Sequence, residues 1–451
     1  MLSHVRSLPP RRLIPPLLLL VIASLLLGLY NFGSNSWLQG IKFHDIIQFD
    51  QRPAPDSFVP RATMPAKAKG SAPLQGLDTE ALRRNFPKLK EATKRHSGPH
   101  KARLDQMMIS YLPFISTSAW MLHSPKGKKF TVSEVQAISN STIQPGFQVP
   151  NIAHFVMPFG ETNLQFHHMV SLLSCLHIMK PHRLLLWYAP GKLPSGHWWD
   201  RVRKNLTESE WEEKIIFVQR PIPTSVYTVP VHGKEHQSDV MRLEAVLVFG
   251  GLYMDIDVLV LKPLEPLRKF PFTIGREVPY GLCNGVFLSA PSGTFLAMWH
   301  TAYQVFFDGS WVDHSVWLPN TMQPIFPDLC HVEEESMDRP NWTPEEVSWI
   351  YVKGQQSRWD WRSKNYVMHL WFRKYGKQHN MDSIKTLDSI AGGIGARRTT
   401  SCTCGSGSTA SSTTWTASRL WTACSEKCVV LFFLGFFKRT LDARISFYIF
   451  M

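Results

Sequence analysis

SDVMRLEAVLVFGGLYMDIDVLVLKPL, Ser238 to Leu264, is the stretch that decides the fold. Ser238 is a favourable N-cap, and Val240, Leu243, Val246 and Leu247 fall on one face of a helix. Gly250-Gly251 closes that helix in the usual manner. Asp239 and Arg242 are three residues apart, so they stand side by side at the edge of the apolar stripe and can look toward one pocket. Leu252 to Leu261 then reads as a strand in which Asp255 and Asp257, two apart, project to the same side. Two carboxylates among apolar residues repel each other, and each is costly to desolvate alone. A divalent cation relieves both costs, and oxygen ligands suit Mn²⁺ or Mg²⁺, which would bridge to phosphates. The bland alternative is an exposed D-x-D in a loop.

Working outward, NIAHFVM (Asn151 to Met157), RLLLWYA (Arg183 to Ala189) and IIFVQ (Ile215 to Gln219) read as buried strands, with a helical pattern over Asn163 to Met179. Strands alternating with helices predict an α/β sandwich with a mostly parallel sheet. Before Val149 the chain is rich in Pro, Ser, Lys and Arg and reads as a stem. Within it, PRATMPAKAKGSAP (Pro60 to Pro73) is solvated linker and Met107 to Met121 is more apolar. Arg6, Arg11 and Arg12 precede the uncharged run Leu13 to Tyr30. As a helix that run spans roughly 27 Å, enough to cross a bilayer core. Basic residues on its N-terminal side keep that end cytosolic, which predicts a signal anchor with the rest of the chain in the lumen; a cleaved signal peptide is the competing reading.

After about Asp388 the composition turns to Ser, Thr and Gly, and no consistent period is found. VVLFFLGFF (Val429 to Phe437) is too short to span a membrane. The organisation expected is therefore a cytosolic tail over 1–12, a transmembrane anchor over 13–32 and a partly disordered stem over 33–148. The catalytic domain follows over 149–390, then an atypical, disordered tail over 391–451. Seven cysteines leave at least one unpaired, and the spacing of Cys402, Cys404, Cys424 and Cys428 matches no zinc pattern.

The net charge is +14, from 49 Lys and Arg against 35 Asp and Glu. Neither zinc-finger spacing nor an arginine-rich tract nor an RNP-type aromatic motif is found, so nucleic acid is not expected as a partner. The charge reads as a solvated surface facing anionic membranes or glycans. Sequons at Asn140, Asn205 and Asn341 are compatible with the secretory pathway.

The run from Ser238 to Leu264 resembles the D-x-D sugar-nucleotide-binding region of glycosyltransferase family 32, with weaker likeness from Pro150 to about Trp371. That family includes animal α-1,4-galactosyl- and α-1,4-N-acetylglucosaminyltransferases and fungal initiating mannosyltransferases. The resemblance implies a GT-A nucleotide-binding sandwich. It also implies transfer, with retention, from a UDP- or GDP-sugar to a glycan, glycolipid or glycoprotein acceptor. Carried across, Asp255 and Asp257 engage Mn²⁺ and the donor diphosphate, and Asp239 and Arg242 contact the donor sugar. Tyr253 lies beside the nucleotide, and His154, Phe155 and Val156 hold the nucleobase, with Met157 where Trp is often found.

LCNGVFLSAP (Leu282 to Pro291) resembles the segment lining the sugar pocket, which points to Asn284 and Gly285; a plain Asn-Gly turn is the other reading. VMHLW (Val367 to Trp371) resembles the late His-x-Trp element that closes over diphosphate and metal, making His369 a candidate ligand and Trp371 a donor contact. A core histidine is its alternative. Trp311, His314, Trp359 to Trp361 and Trp198-Trp199 are an acceptor face or, more simply, core aromatics. No paired carboxylates spaced for hydrolysis are identified. The expected protein is thus a single-pass type II Golgi enzyme. Its rivals are a metal-dependent hydrolase or phosphotransferase using the same aspartates, and a catalytically silent glycan-binding relative.

Overall fold

The computed structural model describes residues 74, 76–94 and 112–372, apart from 160–161, 228, 278–280, 308, 311 and 353–358. The expected anchor, most of the proposed stem, Trp311 and the tail over 391–451 lie outside these residues. No helix among the described residues is long and apolar enough to cross a membrane.

In chain order, helix α1 (Thr79–Lys94) precedes strands β1 (Met121–His123) and β2 (Lys129–Phe130) and helix α2 (Val132–Ser141). Next come β3 (Ile152–Val156), α3 (Phe166–Ser174), β4 (Arg183–Tyr188), α4 (His197–Lys204), α5 (Glu208–Lys214) and β5 (Ile215–Gln219). A short hairpin of β6 (Ser225–Val226) and β7 (Val229–Pro230) leads into α6 (Lys234–Phe249), β8 (Gly251–Met254) and β9 (Val258–Val260). The chain continues through β10 (Phe272–Arg276), β11 (Leu282–Ser289), α7 (Thr294–Thr301), β12 (His331–Glu333), α8 (Pro344–Tyr351) and β13 (Val367–His369).

Nine strands form one sheet in the order β12-β10-β11-β8-β3-β4-β5-β1-β2. Its centre, β8-β3-β4-β5, is parallel, with Ala153 opposite both Leu252 and Leu184, and Leu184 opposite Ile215. On one flank β11 is antiparallel to both β8 and β10; on the other, β1 is antiparallel to both β5 and β2. The result is a mixed sheet whose parallel part lies where the sequence placed it. Central strands need apolar residues on both faces, because helices cover both sides. Leu184 and Leu186 accordingly enter one core with Phe155, Met254 and Leu288, while Leu185 and Trp187 enter the other with Ile152, Tyr253 and Phe287. That alternation is the two-residue period of a strand.

The folded unit reaches back past the expected boundary at Val149. β1 and β2 are strands of the main sheet, and α2 docks on α6 through Gln136 Nε2–H, which donates to the Val248 carbonyl at 3.2 Å. α1 buries Ala81, Leu82, Phe86 and Leu89 against the side that carries α7. The low density of apolar runs hid these elements, since each contributes only a few core residues.

Helix α6 begins at Lys234 with Gly233 as its cap, one turn before Ser238, so Ser238 is an interior residue rather than the cap. The helix is buried nearly all round, and its internal charges are paired: Arg220 and His300 meet Glu244. Gly250 and Gly251 have φ of 68° and 101°. A Cβ on Gly250 would meet Pro291 and Pro150 within 2.8 Å, and one on Gly251 would meet Ile152 at 2.6 Å. Both the positive φ and the close packing therefore require glycine at this reversal.

The expected continuous strand from Leu252 to Leu261 is broken. After Met254 the chain leaves the main sheet, and Asp255 N–H donates to the Gly285 carbonyl at 2.7 Å. The Asp255 carbonyl then accepts from Val258 N–H at 3.0 Å, closing a turn. β9 pairs instead with β13, with Val258 opposite His369 and Val260 opposite Val367. The two aspartates thus occupy the switch between two sheets, beyond the carboxyl end of a central strand, where α/β folds open a ligand crevice.

Candidate active site

The turn gives the aspartates their common direction. Ile256 packs into the hydrophobic core, while Asp255 and Asp257 turn the other way toward His369. One ligand atom from each of these three residues lies within 4.8 Å of the other two. The antiparallel pairing of β9 with β13 creates this meeting, because it sets His369 across from the residue after Asp257.

Each member is held from outside. Tyr253, buried beneath the turn, donates its hydroxyl to Asp255 Oδ1. Asp257 Oδ2 accepts from Phe372 N–H at 3.0 Å, and its carbonyl accepts from Leu370 N–H at 2.9 Å. His369 Nε2 lies 3.2 Å from Asp257 Oδ1, and its ring stacks on Trp371 with centroids 3.8 Å apart. Trp371, at φ 49°, is anchored by its indole N–H on the Pro340 carbonyl. Gly285 forms the floor: a Cβ there would stand 3.0 Å from both Asp255 Oδ2 and His369 Cε1.

A second layer comes from α6 and β11. Arg242 Nη1 is 3.3 Å from Asp255 Oδ1 and donates to the Asn284 carbonyl and Oδ1 at 3.0 and 3.2 Å. Its guanidinium lies over the Tyr253 ring, 4.7 Å from the centroid. Asn284 Nδ2 donates to Asp239 Oδ1 at 2.9 Å, and Asp239 sits between His236 and Arg242. Asn284 and Gly285 are interior residues of β11, so the Asn-Gly turn is ruled out.

Burial pushes the Asp255 carboxyl upward, against the pull of Arg242 and His369. Burial also acts upward on Asp257, yet His369 and the Phe372 N–H overcome it and lower its pKa to about 2. For His369 burial acts downward, and Asp257, Asp255 and Asp338 outweigh it, raising the pKa to about 9. The site therefore sets two carboxylates against the His369 imidazole and the Arg242 guanidinium.

The structure places the side chains of two expected nucleobase residues in the core. His154 is wholly buried; its Nε2 bonds the Gly250 carbonyl at 2.8 Å and its Nδ1 accepts from the Trp187 indole at 3.1 Å. Phe155 is wholly buried in the core. Both serve packing, because a central strand buried on both faces has no side chain free for a ligand. Val156, half-buried at the end of β3, is the member of the trio nearest the crevice end of the strand. Tyr253 is likewise beneath Asp255 and Arg242 rather than open to a nucleotide. Among the aromatics, His314, Trp361 and Trp199 are buried, whereas Trp198 and Trp359 are half-exposed.

Sequence reasoning missed Cys283, Asp338 and His167. Cys283 Sγ is 3.9 Å from His369 Nδ1, and Asp338 joins these two in a second compact group. His167, at the start of α3, stacks on Phe372 and helps hold the Asp257 pKa down. A Cys immediately before Asn284-Gly285 was a usable signal; the other two become neighbours only through long-range folding.

The glycosyltransferase sugar-binding region containing the DXD motif matches Glu210 to Phe272 of this chain. Glucan organizing enzyme 1 of Cryptococcus neoformans is 31% identical over 245 residues, which cover 50% of this chain and 63% of that one. The human lactosylceramide 4-alpha-galactosyltransferase is 30% identical over 133 residues, 30% of each chain. Inositol phosphoceramide mannosyltransferase 3 of Schizosaccharomyces pombe is 35% identical over 60 residues, 13% of this chain and 17% of its own. The chain thus spans less than two thirds of the length of each of these relatives. The D-x-D turn lies inside the matched region, and over part of its length the chain is similar to proteins named as sugar transferases.

Proposed function

We propose that this chain is a metal-dependent glycosyltransferase that moves a sugar from a UDP- or GDP-sugar to a glycan, glycolipid or glycoprotein, with retention at the anomeric carbon. The observation that carries this reading is the convergence of Asp255, Asp257 and His369 at the sheet switch, with their ligand atoms within 4.8 Å of one another. Two carboxylates and one imidazole form a donor set that Mn²⁺ accepts, whereas Mg²⁺ favours oxygen alone. The glycine floor leaves room for an ion where any side chain would intrude. When bound, a divalent cation supplies the positive charge that a departing diphosphate requires.

The chain's own residues do the rest. Asp255 and Asp257 are fixed by Tyr253, Phe372 and Leu370 and need little reorganisation on binding. Arg242 adds a permanent positive charge beside Asp255, and Asp239 with Asn284 fixes its orientation. Asp239 and Arg242 face the donor sugar in this scheme, and Trp371 with His369 closes over the diphosphate. The expected placement as a type II Golgi membrane protein is part of the same proposal, supported by the basic residues ahead of Leu13 to Tyr30.

The test is to incubate the protein with a panel of nucleotide sugars and Mn²⁺ and follow nucleotide release with and without candidate acceptors. Release that depends on an acceptor and stops with chelator is the expected result. Equal turnover without acceptor would identify a hydrolase, and no turnover across the panel despite Mn²⁺ binding would identify a silent relative.

A further inference from the structure

Behind His369, on the side away from Asp257, lies a carboxylate that the proposed reaction does not use. Asp338 is 1% exposed, and no hydrogen bond of ordinary geometry reaches either of its oxygens. The neighbouring Cys283 thiol gives at most a weak S–H contact. A buried carboxyl left this way costs a few kcal/mol unless a partner is supplied. Burial pushes its pKa up, the carboxylates Glu277 and Glu346 push the same way, and the His369 ring opposes them.

The backbone around Asp338 is firmly placed. The Ser336 carbonyl accepts from Tyr366 and Val367 N–H, the Arg339 carbonyl from Asn365, and the Pro340 carbonyl from Trp371. These bonds lace the segment 336–340 along β13 on both sides of His369. Met337 seats it against Gly275, where a Cβ would stand 2.8 Å away. The Asp338 carboxylate is consequently fixed near the His369 ring, with ligand atoms of Asp338, Cys283 and His369 mutually within 4.8 Å. Within that group Nδ1 of His369 faces Cys283 while Nε2 faces Asp257.

We propose that Asp338 is the positioning residue of His369: it accepts the Nδ1–H of the imidazole and thereby presents Nε2, lone pair outward, to the cation held by Asp255 and Asp257. The inference rests on the metal-site reading given above. A histidine that ligates a metal through one nitrogen is oriented by what its other nitrogen donates to, and removal of that partner costs 10- to 100-fold in metal affinity. The Asp338 carboxyl and the His369 ring have ligand atoms within 4.8 Å but no hydrogen bond between them, and polar contacts of this kind tighten when the ligand arrives.

The test measures Mn²⁺ binding to the full chain, without nucleotide, by the loss of the free-ion paramagnetic resonance signal. Asp338→Ala should weaken Mn²⁺ roughly 10- to 100-fold. Asp338→Asn keeps an acceptor oxygen at nearly the same volume and should stay within about threefold of the parent. In a His369→Gln background Asp338→Ala should have no further effect, because the two residues act through one bond. If Asp338→Ala does not fold, Asp338→Val fills the niche without an acceptor and takes its place. An affinity within twofold of the parent, an equal loss in Asp338→Asn, or the same loss in the His369→Gln background would overturn the assignment. Two Mn²⁺ per parent chain and one in Asp338→Ala would overturn it as well, in favour of a second ion in the niche. A parent chain that binds no Mn²⁺ would instead remove the metal site itself.

Discussion

Replacing Gly285 by alanine adds one methyl group at a place where the structure leaves no room for it. The methyl would stand 3.0 Å from Asp255 Oδ2, 3.0 Å from His369 Cε1 and 3.3 Å from His369 Nδ1. Comfortable contacts of this type are about 3.5–4.0 Å, so two of the three proposed ligand side chains must retreat by roughly half an ångström. The backbone adds no strain of its own, since Gly285 lies inside β11 and is absent from the positive-φ glycines. Gly→Ala at a compatible backbone stabilises by about 0.4–1 kcal/mol through the unfolded chain. Forced crowding costs about 1–3 kcal/mol. The two oppose each other, so the melting temperature should fall by only a few degrees, roughly 1–2 kcal/mol net for a domain this large.

Metal binding has no such compensation. Displaced ligands should weaken Mn²⁺ by at least about tenfold, equivalent to 1.4 kcal/mol. Calorimetric titration of Mn²⁺ into parent and variant, beside a thermal melt of each, separates the two effects. A Gly285→Ala chain that binds Mn²⁺ within twofold of the parent would refute the argument that this glycine is the floor of an ion site.

Three further outcomes follow from the same geometry. Asp255→Asn and Asp257→Asn each delete one anionic ligand at nearly constant volume, so transfer should fall by at least about 10²-fold while the circular dichroism spectrum is unchanged; normal turnover in either would displace the site. With chelator present, His369, raised to about 9, should stabilise the fold fully below its ordinary 6.5 and lose that contribution as pH rises through about 9. Asp257, lowered to about 2, should add stability above 3.8 that disappears as pH falls through about 2. Urea midpoints against pH for the parent and His369→Gln check the upper limb, and an unchanged upper limb in the variant would contradict it. Asn140 is exposed and should be glycosylated in a secretory host, whereas Asn341 is 1% exposed and its Oδ1 accepts from Thr343 N–H, so it should carry no glycan. Glycopeptide mapping decides between them.

The central strands were legible because strands buried on both faces read as unbroken apolar runs: IAHFV, RLLLWY and IIFVQ all lie where hydrophobicity placed them. Antiparallel flanks were less legible. β1 and β2 are only three and two residues long, inside a segment whose Lys and Ser content reads as linker, and their place in the sheet depends on pairing with β5. Ser238 shows how local rules mislead in a buried helix. Its N-cap chemistry is real, but tertiary burial of His236 and Gln237 extends the helix past it.

The site divides along the same line. Asp239, Arg242, Asp255 and Asp257 are within nineteen residues of one another and share one helix, one reversal and one turn, so local periodicity suffices to bring them together. The error over Leu252 to Leu261 is instructive: an apolar run with aspartates at alternate positions looks like one strand, and only the competition between two partners, β11 for β8 and β13 for β9, divides it at Asp255. That same division admits His369, more than a hundred residues away. Asp338 lay beyond sequence reasoning altogether, because nothing in ESMDRP distinguishes a buried carboxylate from an exposed one. Its burial is imposed by carbonyls that β13 recruits on either side, and its relation to the aspartates runs entirely through the ring of His369. A residue that acts through another residue leaves no mark at a fixed spacing, so such residues become visible only when the fold supplies the intermediate.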